Sequence, residues 1–81
     1  MNTIMAVKVN GRIAKAPLVQ EILTKYRCNI KTRIGFHELN EDQCSTDGVL
    51  ILQLFGQKTE IQAMFDEIGI IDGVTPKIIE F

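Results

Sequence analysis

The 81-residue sequence predicts one α+β domain spanning 1–81, a four-stranded antiparallel sheet carrying two helices on one face. Three observations predict it. Six patterned segments fill the chain in the order strand, helix, strand, strand, helix, strand, with few residues between them. Period-two alternation marks the first two strands and helical spacing marks the two helices. Finally, the third strand is apolar on both faces, whereas the last contains a proline, which suits a central and an edge position respectively.

The first strand covers residues 4–10, with Met5, Val7 and Val9 on one face and Ala6, Lys8 and Asn10 on the other. Gly11 breaks the pattern, and Arg12-Ile13-Ala14 bridge to a helix whose first turn takes Pro17, where a missing N–H costs nothing. Leu18, Val19, Ile22, Leu23 and Tyr26 follow at helical spacing, so the helix should end near Arg27. Asn29 supplies a turn. Residues 30–38 then alternate, Ile30, Thr32, Ile34 and Phe36 against Lys31, Arg33, Gly35 and His37.

A polar connection is expected between Leu39 and Asp47, longer than a tight turn. Gly48 opens the third strand, Val49 to Phe55, and Gly56 ends it. Thr59 and Gln62 have capping-box spacing, and Ile61, Met64, Phe65 and Ile68 form the stripe of the second helix. Gly69 is expected to stop that helix in a left-handed conformation. The last strand runs from Val74 to Phe81 with Pro76 inside it. Right-handed crossovers then give the strand order 4-1-3-2, a ferredoxin-like βαββαβ sandwich.

Both helices on one face leave the other uncovered. If Leu50, Leu52 and Leu54 point at the helices, the open face receives Val49, Ile51, Gln53 and Phe55. Ala6, Lys8, Arg33 and His37 are expected to join them, with Thr75, Lys77, Ile79 and Phe81 or their alternates. Contiguous apolar area of this kind seldom stays exposed on a monomer, so a homo-oligomer is expected, most simply a two-fold dimer using the open sheet face or sheet edges, with Val49, Ile51 and Phe55 at its interface.

The composition narrows function by exclusion. Charged residues make up 23% and hydrophobic residues 46% of the chain, the balance of an ordinary globular domain. A net charge of −1 with scattered Lys and Arg argues against a nucleic-acid partner. No run of 18 apolar residues exists to span a membrane. Nor does the start carry a charged region followed by an apolar one, so the cytoplasm is the expected location. Cys28 and Cys44, sixteen positions apart, make neither C-x-x-C nor a zinc spacing and read as free thiols.

No Ser-His-Asp set, paired carboxylates or activated cysteine can be assembled, so the chain is expected not to be an enzyme and to need no cofactor. Asn10-Gly11-Arg12 is the best candidate ligand site. Glycine permits close backbone approach, a helix start offers free N–H groups, and Arg12 adds a positive charge that would attract a carboxylate or phosphate. Arg33 on the second strand is a further candidate contact for a ligand or an acidic partner. In the alternative reading His37, the sole histidine, joins Cys44 or Cys28 in a transition-metal site.

One family shows a similar order of segments. Arg33-Ile34-Gly35 follows Ile30 on the second strand, a glycine-led apolar strand runs from Gly48 to Gly56, and Ile68-Gly69-Ile70-Ile71-Asp72-Gly73-Val74-Thr75-Pro76-Lys77 closes the chain. Over roughly residues 4–79 this resembles the small ACT-like regulators of the iron-only hydrogenase system. The resemblance implies a non-catalytic, oligomeric regulatory module. It also implies a small effector near the first strand–helix loop and a subunit interface, here Asn10, Gly11 and Arg12. The loop departs from amino-acid-binding ACT domains in lacking an Asp-x-Pro-Gly type sequence.

Overall fold

The computed structural model describes residues 3–39 and 44–81, with side chains at all of these except 12, 13, 36–39 and 44–46. Its elements are β1 (Thr3–Val9), α1 (Arg12–Lys25), a 3₁₀ turn (Arg27–Asn29), β2 (Ile30–Leu39), β3 (Cys44–Leu54), α2 (Lys58–Ile70) and β4 (Val74–Glu80). The strands form one antiparallel sheet ordered β2-β3-β1-β4, the order expected from the crossover rule. Pro76 sits on the edge strand β4, where a missing N–H leaves the ladder least disturbed.

Alternation decides which residues form the core. Met5, Val7 and Val9 of β1 meet Leu52 and Leu54 of β3 and Val74 of β4 beneath the helices. Val19 and Leu23 come down from α1, and Ile61, Met64 and Ile68 from α2. Met5, Val7, Leu52, Met64 and Ile68 are fully enclosed. Burial of such side chains stabilises by about 1.5–3 kcal/mol each.

Several element boundaries depart from the sequence reading. α1 begins at Arg12, so Pro17 lies inside the helix rather than in its first turn. Gly11, left-handed at φ 66° and ψ 49°, caps it, and its carbonyl accepts from the N–H groups of Ala14 and Lys15 at 3.0 and 3.2 Å. The helix-start signal was therefore the glycine, not the proline. The capping box of α2 sits at Gln57 and Glu60, two residues before the Thr59–Gln62 pair, with the Glu60 carboxylate accepting from Gln57 N–H at 3.2 Å. Gly69 does not stop α2, which continues to Ile70. The left-handed glycine is Gly73 at φ 80°, while Gly69 lets the Pro76 ring approach within 3.8 Å of where a Cβ would stand.

The expected connection from Leu39 to Asp47 is shortened by strand, because β2 runs to Leu39 and β3 starts at Cys44, which pairs with it; residues 40–43 lie outside the described ones. A register shift between Ile30 and Thr32 flips the rest of β2. Thr32 pairs with Gln53 and Ile34 with Ile51, placing both on the open face. Arg33 pairs with Leu52 on the helix side. The assignment of Arg33 to the open face is thereby corrected; the side chain of His37, placed there with it, lies outside those described. One extra residue in one strand of a pair inverts the phase of everything after it.

Candidate functional site

Three places hold the chemistry-bearing side chains: the β1–α1 loop, the crossing of the two helices, and the open sheet face. In the loop, Asn10 N–H donates to the Gly73 carbonyl at 2.8 Å, tying the end of β1 to the turn before β4. Gly11 N–H donates to Oδ1 of Asp47 at 3.0 Å. A carboxylate of the chain itself thus meets the backbone donor at the start of α1, where negative charge is favoured. Asp47 was missed in the sequence because nothing local couples a residue before Gly48 to one 36 positions earlier.

The loop residues Asn10 and Gly11 are contiguous, as the sequence implies, and Arg12 opens α1; the Arg12 side chain lies outside those described. Arg33 does not join them. Its ladder partner Leu52 is five residues along β3 from Asp47, a separation of about 17 Å at 3.3–3.4 Å per residue. The four candidate ligand contacts therefore divide into a loop and a distant edge-strand arginine.

The metal alternative also divides. Cys28 is exposed in the turn before β2, and His37 lies seven residues along that strand from Ile30, about 23 Å by strand rise. His37 pairs with Gly48 and Cys44 with Leu39, so the ladder brings those two onto neighbouring strands; their side chains lie outside those described. Among the described residues no group of three or more His, Cys, Asp or Glu is placed to hold a metal ion.

Where α1 crosses α2, Glu67 accepts from both Lys25 Nζ and the Tyr26 hydroxyl. The Lys25 ammonium reaches both carboxylate oxygens, at 3.0 and 3.1 Å. The hydrogen bond from Tyr26, then that from Lys25, holds the Glu67 carboxyl below its usual range. In return the bond to Glu67 raises Lys25 and Tyr26 above theirs. Beside this trio runs a shallow groove of about 240 Å³ lined by Leu18, Glu21, Ile22, Lys25, Glu67 and Ile71. The sequence signalled the helical stripe but gave no means of pairing Tyr26 with a residue on the other helix.

The open face is a ladder of four rows, read across the sheet from β2 to β4. One row is Thr32, Gln53, Ile4, Ile79 and the next is Ile34, Ile51, Ala6, Lys77. A third contains Val49, Lys8 and Thr75. Phe55 and Phe81, just past the ends of β3 and β4, extend the alternation at the opposite end. Ile34, Ile79, Phe55 and Phe81 are 56%, 51%, 50% and 82% exposed, whereas Val49 and Ile51 are half-buried by their neighbours. The sequence reading placed Val49, Ile51 and Phe55 on this face; the ladder places Val49 and Ile51 there, and Phe55 follows just past its end. Of the two alternating sets left open for β4, the open face receives Thr75, Lys77 and Ile79.

No family model and no curated protein matches the chain. Solved structures do. An uncharacterized protein from Thermotoga maritima superposes with a TM-score of 0.83 at 24% identity, covering 96% of this chain and 92% of that one. The apo form of a nitrogen regulatory PII-like protein from Thiomonas intermedia superposes at 0.59 and 13% identity, over 96% of this chain and 86% of that one. The periplasmic divalent cation tolerance protein CutA from Archaeoglobus fulgidus gives 0.57 and 11%, over 100% and 84%. The fold is ferredoxin-like. At these identities the likeness reaches the fold and stops there.

Proposed function

We propose that this chain is a non-catalytic regulatory module that works as a homo-oligomer and takes a small effector at the β1–α1 loop. The observation that carries the reading is the open sheet face, where Ile4, Ile34, Ile51 and Ile79 form adjoining rows with no element among the described residues across them. Such a face gains stability when covered, and a symmetric partner is the simplest cover. The effector loop joins that face at its polar end, since Asn10 and Gly11 directly follow β1. A ligand anion there would compete with the Asp47 carboxylate for Gly11 N–H, and it would alter a contact tying β1 to β3. Differential affinity of the ligand for two interface arrangements would then shift the assembly.

A regulatory role is proposed by analogy of fold with the PII-like nitrogen regulatory protein, an analogy that carries no residue of this chain. The resemblance noted in the sequence makes the iron-only hydrogenase system the first pathway to test, through a protein partner in the cytoplasm. A thermal-shift screen of amino acids, nucleotides and inorganic anions tests the effector site. Stabilisation by one of them that disappears in Arg12→Ala supports the loop. Stabilisation unchanged in Arg12→Ala moves the ligand elsewhere.

The second reading, a transition-metal module, is favoured by the ladder that brings His37 and Cys44 onto neighbouring strands. Elemental analysis of untagged protein decides it, since an absence of stoichiometric metal removes that reading.

A further inference from the structure

The open face is not uniform, and its pattern selects one way of covering it. Counting from the phenylalanines, the rows run Phe55–Phe81, then Gln53–Ile4–Ile79, then Ile51–Ala6–Lys77, then Val49–Lys8–Thr75. Apolar side chains dominate the first three. The fourth carries Lys8, exposed and central, and just beyond it lie Asn10 and Asp47. Among the described residues the four rows hold two lysines and no carboxylate. A buried ammonium without a partner is costly, so the Lys8 row must stay hydrated in any stable packing.

We propose that a second copy of this chain packs face to face with its two-fold axis lying along the Ile4–Ile79 row, across the strands. This rests on the reading of the open face as a copy-to-copy interface and adds the arrangement. Rotation about that row stacks each strand on its own counterpart, running the opposite way. Ile4 then meets Ile4 and Ile79 meets Ile79 across the gap of about 10 Å between packed sheets. Phe55 lands on the partner's Ile51, and the Lys77 stem lies over the partner's Phe81. Its ammonium reaches solvent at the edge strand. The Lys8 rows of the two copies project past opposite ends of the interface and remain in water.

The rival axis, along the strands, fails on charge. It superposes like rows on like rows and stacks β1 on the partner's β3. That brings the two Lys8 side chains to one end at about 11 Å, a separation set by one strand spacing and the gap between sheets. It also stacks β4 on the partner's β2, which separates the two Ile79 positions by about 17 Å.

Single cysteines in a Cys28→Ser, Cys44→Ser background distinguish the two, using a short bis-maleimide cross-linker after light scattering has established each variant's mass. Ile79→Cys is expected to give a covalent dimer in high yield and Thr75→Cys, four residues along the same strand, almost none. Ile4→Cys carries the same expectation as Ile79→Cys should the latter loosen the interface. A dimeric mass with no cross-link at either isoleucine position, or with Thr75→Cys linking as well as Ile79→Cys, overturns the arrangement while leaving the interface reading intact. A monomeric mass for the unaltered chain overturns both.

Discussion

Gly56→Ala should be among the most damaging conservative substitutions in this chain, for two separable reasons. Gly56 has φ +111°, a conformation L side chains rarely adopt. A Cβ there would also stand 2.5 Å from Asn29 Nδ2 and 3.7 Å from its Cγ. Asn29 is 8% exposed and fastens the corner where β2 begins, with Nδ2 donating to the Phe55 carbonyl at 3.2 Å and its own carbonyl accepting Phe55 N–H at 3.0 Å. The backbone strain costs about 1–3 kcal/mol. Pushing the amide away leaves a part-buried carbonyl short of its donor, a further cost of about 1–3 kcal/mol.

The sum, about 2–6 kcal/mol, is a large share of the stability of a small domain. Each kcal/mol lowers Tm by about 4–8 °C at this size. Urea unfolding followed by circular dichroism should therefore show a clear fall in midpoint for Gly56→Ala. A smaller fall of about 1–3 kcal/mol is expected for Asn29→Ala. The double variant should be more stable than the sum of the two losses, because removing the amide removes the clash. A Gly56→Ala protein within about 0.5 kcal/mol of the unaltered chain, or strict additivity, would refute the argument.

Other expectations follow from the same geometry. Since Glu67 titrates lower in the folded chain than its ordinary 4.5, its contribution is present above that pH and is lost as pH falls through the folded value. Lys25 and Tyr26 are raised, so theirs is present below their ordinary values of 10.5 and 10.0 and is lost as pH rises through the folded ones. Stability measured against pH should accordingly plateau between these limits, and Glu67→Gln should flatten the acid limb. Asp47→Ala, which strips the acceptor from Gly11 N–H, should cost about 1 kcal/mol in the same urea assay. Met64→Ala, at a fully enclosed position, should cost about 2–5 kcal/mol. Finally, Gly35→Ala should be mild in spite of a 2.9 Å approach to Leu50 Cδ2. The obstacle is the end of a half-buried, movable side chain, and a change in midpoint as large as that of Met64→Ala would contradict this.

The fold was legible because alternation and helical spacing are properties of short windows. The leucines of β3, the proline on β4 and the stripe of α2 each fixed a face or a position without reference to distant residues. What escaped depended on one extra residue or on distant pairs. The bulge after Ile30 inverted β2 and moved Arg33 away from the open face. Gly69 stood where a helix stop is expected, and the closeness of Pro76 to it became visible only once the sheet was assembled. The same limit applied to the candidate site. Gly11 stood out as a local breaker of the pattern, but Asp47 opposite it and Glu67 opposite Tyr26 are contacts made by topology.

The central claim is that the open sheet face is covered by a second copy of the chain. Light scattering coupled to size exclusion at micromolar concentration measures this most directly. The expected mass is at least twice the 9.1 kDa of one chain, falling to a single chain in Ile51→Asp with helical content and unfolding transition retained. A sharp 9.1 kDa species for the unaltered protein would contradict it.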